Sequence, residues 1–63
     1  MKIWKVKEII RHIESDGWFQ IRQRGSHRQF RHFTKKGTVT VPGNLSDDLP
    51  PNTAKSILRQ AGL

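Results

Sequence analysis

The chain has 63 residues, room for one domain over 1–63 with one small core, since a chain of this size buries only ~60% of the surface its unfolded form exposes. It contains no Cys, which excludes disulfides and thiolate metal sites, and no apolar run near the ~18 residues that a membrane-spanning helix requires. Twelve Lys and Arg against five Asp and Glu give a net charge of +7, and no acidic residue falls between Asp16 and Asp47, an interval holding Arg22, Arg24, Arg28, Arg31, Lys35 and Lys36. A positive field concentrated this way attracts polyanions, nucleic acid foremost.

Val6, Ile9, Ile10 and Ile13 repeat with the i, i+3, i+4, i+7 spacing of an amphipathic helix, backed by Lys5, Lys7, Glu8, Arg11 and Glu14. Gly17 can take the left-handed conformation that ends a helix, and Trp18 then falls where a Schellman motif returns an apolar side chain onto Ile13. The start is unmarked, because no Ser, Thr, Asp or Asn precedes Lys5. Trp18–Gln23 reads as a strand with Phe19 and Ile21 inward and Gln20 and Arg22 outward. Arg24-Gly25-Ser26 is a turn, followed by a second strand over His27–Phe33. With Phe30 in the core, the two-residue period sends His27, Gln29 and Arg31 to the other face.

Thr34-Lys35-Lys36-Gly37 predicts a hairpin with Gly37 at positive φ. Thr38-Val39-Thr40-Val41 is a third strand closed by Pro42, its valines and threonines on opposite faces. Pro50 and Pro51 prepare a helix, with Asn52 as its expected N-cap. Ala54, Ile57, Leu58 and Ala61 repeat the apolar stripe, and Gly62-Leu63 repeats the glycine ending. The expected fold is α+β in the order α-β-β-β-α. Each helix has one apolar stripe, so both are expected on one face of a three-stranded antiparallel sheet. The open face is expected to carry Gln20, Arg22, His27, Gln29, Arg31, Thr38 and Thr40.

Little in the sequence suits a nucleophilic or metal enzyme. Ser15, Ser26, Ser46 and Ser56 lack an Asp-His pair at a suggestive spacing, and Asp47-Asp48 reads as helix start and solvation before the second helix. His27 and His32 are separated by an odd number of positions, which puts them on opposite faces of one strand, and His12 has no helical partner. His32 shares a face with Phe30 and reads as a partly buried structural group. His27 is flanked by cations. A neutral imidazole can act as a general base, and the other reading of His27 is a passive contact to phosphate. As a base it would take the proton from an RNA 2′-hydroxyl. Neighbouring guanidiniums would hold the phosphate and stabilise the extra charge of its transition state.

The runs Asp16-Gly17-Trp18 and Arg22-Gln23-Arg24-Gly25-Ser26-His27, with Phe30 just beyond, resemble those of the HicA (YcfA-like) toxins. Lys36-Gly37-Thr38-Val39-Thr40-Val41-Pro42, Leu49-Pro50-Pro51-Asn52-Thr53 and Ser56–Leu63 extend the resemblance over nearly the whole chain. It implies a double-stranded-RNA-binding-domain-like fold. It also implies an mRNA-cleaving endoribonuclease, the toxin of a type II toxin–antitoxin pair, masked by a HicB-like antitoxin. A cytoplasmic location is expected separately, from the missing apolar run and from Met1-Lys2-Ile3-Trp4-Lys5, which does not read as a signal peptide. The family's catalytic histidine lies in a Gly-Ser-His motif, which here is Gly25-Ser26-His27. Gly25 would then admit phosphate close to the backbone, and Ser26 would donate a hydrogen bond. Arg24, Arg28 and Arg31 would position RNA, with Arg22 and Lys36 contributing, and neither metal nor cofactor is expected.

Two positions depart from the family pattern. Asn52 stands where Gly is common. A His common after Val-Pro is missing from Gly43-Asn44-Leu45-Ser46, which leaves water, Lys35 or His27 itself to protonate the leaving 5′-oxygen. A non-catalytic RNA-binding module of the same fold is the alternative, and an interaction domain with an acidic protein partner is a third reading.

Overall fold

The computed structural model describes residues 2–63. Two helices, α1 (Val6–Ser15) and α2 (Pro51–Gln60), flank three strands, β1 (Phe19–Arg24), β2 (His27–Arg31) and β3 (Val39–Val41). The strands form one antiparallel sheet in the order β1-β2-β3. The α+β architecture in the order α-β-β-β-α is the one expected.

The core is the apolar stripe of each helix set against one face of the sheet. Val6, Ile9 and Ile13 from α1 and Ala54, Ile57 and Ala61 beyond and along α2 cluster with Phe30, Val39 and Val41. Trp18 and Leu49 complete it. Burial of each large member is worth ~1.5–3 kcal/mol, the main favourable term in so small a domain. Ile10 and Leu58 lie at the margins of the two stripes and pack against the cluster half-buried.

No residue of β1 joins that core, and this corrects the expectation for Phe19 and Ile21. All of β1 is exposed, with Phe19 at 37% and Ile21 at 51%. The cause is a β-bulge. Gln20 pairs with Phe30 and Arg22 with Gln29, so Ile21 is an extra residue with no partner. Cross-strand partners share a face, so Gln20 lies on the helix side with Phe30. Phe19, opposite Arg31, lies on the open side. Past the bulge, Arg22 and Arg24 also lie on the open side, opposite Gln29 and His27. The helices cover β2 and β3 and leave the outer strand in water.

Both helices end in Schellman motifs. Gly17 has φ +103°, and the amides of Gly17 and Trp18 donate to the carbonyls of Glu14 and Ile13. At the end of α2, Gly62 has φ +72°, and the amides of Gly62 and Leu63 donate to Arg59 and Leu58. The starts differ from expectation. Pro50 is the N-cap of α2 and Pro51 its first residue, so Asn52 lies inside the helix. Pro51 occupies the position where a missing N–H costs nothing, which moves the boundary before Asn52. The first amides of α1 are met from the loop after β3: Val6 donates to the Asp47 carbonyl at 2.9 Å and Lys7 to the Leu45 carbonyl at 3.0 Å. Asp48 pairs with Lys5 at 3.1 Å. Asp47-Asp48 therefore serves the start of α1 rather than that of α2.

The connection between β2 and β3 is a loop over residues 32–38 rather than a tight hairpin, with Gly37 at φ +89° as expected. His32 organises it. Its Nδ1 accepts from the amides of Thr34 and Lys35 at 3.1 and 3.2 Å. That leaves Nε2 to donate to the Asp16 carbonyl at 2.7 Å. The ring also meets Trp18 edge-on, centroids 5.2 Å apart. Lys35 pairs with the Asp16 carboxylate and donates to the Ala61 carbonyl at 3.1 Å, which the Trp18 indole also reaches at 3.3 Å. These bonds occupy a carbonyl at the negative end of α2.

Candidate active site

Of the expected site residues, Arg24, Gly25, Ser26 and His27 lie together at the end of the sheet where β1 turns into β2. Gly25 and Ser26 form a two-residue hairpin loop. Gly25 has φ +59°, and among the described residues no non-glycine residue, Ser26 included, has positive φ, the pattern of a type II′ turn with Gly first. Such a turn matches the twist of the flanking strands and brings Arg24 and His27 into direct register. The two side chains share the open face, with Cα atoms ~4.5–5.5 Å apart in such a pair. His27 is exposed. A Cβ added to Gly25 would meet nothing within 4 Å, so the backbone there is open to approach.

The rest of the open face follows as rows. Behind the Arg24–His27 row stand Arg22, Gln29 and Thr40, paired in sequence across the three strands, and behind them Phe19 and Arg31. Rows lie ~6.6 Å apart along the strands. Three guanidiniums thus occupy one surface, to which the strands contribute no acidic residue.

Arg28 stands apart from this group. It pairs with Gln23 and Val41 on the helix side and is half-buried. Its guanidinium donates to the Gly43 carbonyl at 2.9 Å and to the Ser26 carbonyl at 3.4 Å. Gly43 has φ +93°, and a Cβ there would come within 3.2 Å of Val6 Cγ2. Arg28 thus braces the hairpin turn against a glycine that is packed on α1. The turn is also held by Gln23 Nε2, which donates to the Gly25 carbonyl at 3.0 Å. Lys36 is exposed in loop 32–38, at the opposite end of the sheet, and is not brought to His27. Lys35, at that same end, is engaged with Asp16 and Ala61.

One feature of the open face escaped the sequence reading. Phe33 packs on Phe19, centroids 4.9 Å apart. The odd separation of Phe33 from Phe30 already carried its half of the signal, because it places Phe33 opposite the core. The bulge that turns Phe19 outward carried none.

Among the described residues, no three His, Asp or Glu side chains converge as metal ligands, and no helix is long and apolar enough to cross a membrane. A concavity of about 410 Å³ is lined by Lys2, Trp4, Glu8, Arg11, His12 and Ser15. None of the expected site residues lines it. The surface around His27 is open, a shape that suits a polymer better than an enclosed small molecule.

A family model described as the HicA toxin of bacterial toxin–antitoxin systems matches residues 6–63. No curated protein matches the chain. The matched span takes in both helices, all three strands and the Gly25-Ser26-His27 turn, and its members are the toxin half of a pair completed by an antitoxin. The chain belongs to the HicA toxin family.

Proposed function

We propose that this toxin is an endoribonuclease that cleaves mRNA with His27 as its general base and that a HicB-type antitoxin inhibits it by covering the same face. The observation that carries this reading is the placement of His27. It is exposed at the end of the hairpin, in register with Arg24, on the face that also bears Arg22 and Arg31. In the reaction, the imidazole takes the 2′-hydroxyl proton, and the 2′-oxygen attacks the adjacent phosphorus. The bond from phosphorus to the 5′-oxygen then breaks, leaving a 2′,3′-cyclic phosphate and a 5′-hydroxyl. Lys35 is committed elsewhere, so the departing oxygen takes its proton either from solvent, to which the site is open, or from His27 itself, which then acts as general acid and gives up the proton it took from the 2′-hydroxyl.

Arg24 stabilises the added charge on the phosphoryl oxygens. Gly25 admits the phosphate, and Ser26 donates a hydrogen bond to it. Arg22 and Arg31 hold neighbouring phosphates. Arg28 acts as a positioning residue through the turn, and Lys36 contributes only long-range attraction. The test is expression of the wild type and of His27→Ala, followed by inspection of total mRNA. Wild type is expected to degrade mRNA and H27A to leave it intact. Equal integrity in both cultures would leave a binding module of the same fold. Cleavage of a substrate whose 2′-hydroxyls are replaced by hydrogen would exclude attack by that oxygen.

A further inference from the structure

The far row of the open face holds something a solvated basic surface does not require. Phe33 lies against Phe19 with ring planes inclined by 38°, and Phe19 stands cross-strand from Arg31. Phe33 is 90% exposed and Phe19 is 37% exposed. Neither belongs to the core cluster. An aromatic face is therefore held open to water by a partner ring, beside an arginine and on the same side of the sheet as His27.

We propose that Phe33, propped by Phe19, is a stacking platform for one unpaired base of a single-stranded RNA whose phosphates are held by Arg22 and Arg31. This rests on reading the open face as an RNA surface. It adds that the bound strand is unpaired and that one base is held at a fixed distance from the cut. A duplex keeps its base faces stacked within itself, whereas an unpaired base can stack on an aromatic ring, and every base has such a face. The charge of the surroundings favours the same occupant: Arg22, Arg24 and Arg31 share the face, and the strands place no carboxylate there. His27 and Arg31 lie at the two ends of β2, ~13 Å apart at strand rise. The few nucleotides that such platforms engage can bridge that distance.

The test uses a single-stranded RNA of about twelve nucleotides, 2′-O-methylated throughout so that 2′-attack is blocked, with affinity for the full chain read by fluorescence anisotropy. Phe33→Ala and Phe33→Leu are each expected to bind roughly tenfold more weakly than wild type, and Phe33→Trp at least as tightly. A single abasic nucleotide stepped along the strand should weaken binding to wild type at one position and have no such effect on F33A. Phe33 is exposed, so these variants are expected to fold as wild type does. Wild-type affinity in F33A and F33L, the outcome expected if the ring pair instead contacts a protein, would overturn the platform. If His27-dependent cleavage of unmodified RNA persists in that case, the nuclease reading stands alone. If wild type binds no RNA, both readings fall together.

Discussion

His27 and His32 differ in what surrounds them more than in where they lie along the chain. His27 stands exposed beside Arg24. His32 is enclosed by Trp18 and spends both ring nitrogens on backbone groups. The odd separation in sequence was enough to assign the two to opposite faces, and so to separate a site candidate from a structural one. It could not show what His32 holds. A Cβ on Gly17 would come within 2.8 Å of His32 Nε2, so that glycine serves both its positive φ and the histidine's position. Next to it, the Lys35 ammonium hydrogen-bonds the Asp16 carboxylate and holds its pKa below the ordinary 3.8, with burial opposing. A carboxylate with a depressed folded pKa contributes stability that is present above its unfolded value and lost as pH falls through the folded one. The thermal midpoint of wild type should therefore exceed that of Asp16→Asn near neutral pH, and the gap should close as pH falls below about 4. A gap of the same size at both ends of that range would mean that the charge on Asp16 contributes nothing to folding.

At the scale of elements, the outer strand is where sequence periodicity and structure part. Strict alternation assigned Phe19 and Ile21 to one inward face. The extra residue in the β1–β2 register breaks the alternation and leaves both in solvent. No residue in Phe19–Gln23 marks the bulge, since neither Gly nor Pro occurs there. The helices were more legible because their apolar stripes and closing glycines are local signals. Their starts were not, because α1 draws its partners from a loop some forty residues away in the chain, Asp47 bonding Val6. Exposure makes the contrast between strands measurable by urea denaturation. Ile21→Thr should change stability by no more than about 0.5 kcal/mol, whereas Phe30→Ala, at a fully buried position, should cost ~3–5 kcal/mol. A loss above about 2 kcal/mol for I21T would return Ile21 to the core.

For the molecule as a whole, the sheet sorts a basic sequence into three groups. Arg22, Arg24 and Arg31 share the open face, Arg28 is turned to the helix side, and Lys35 and Lys36 sit in the far loop. Each phosphate neutralised on a single strand contributes ~0.7 to the slope of log affinity against log salt. Three facing arginines therefore predict a slope near −2, whereas contact by all five arginines and lysines that the sequence led one to expect at RNA would bring it to about −3.5. Arg22→Gln should make the slope shallower by about 0.7. Arg28→Gln should leave it unchanged while lowering the thermal midpoint, because the turn loses its brace to Gly43. A slope near −3.5 would mean that the far loop and Arg28 also meet phosphate.

The helical stripes, the glycine ends, the outward parity of His27 and the concentration of positive charge are all carried by spacing along the chain, so the order of elements and the candidate histidine could be read without coordinates. Which arginines stand beside that histidine, and which aromatic rings share its surface, depend on strand register and on one bulge. Register follows from how the helices cover two strands and leave the third open, a balance of contacts between distant segments that local spacing does not encode.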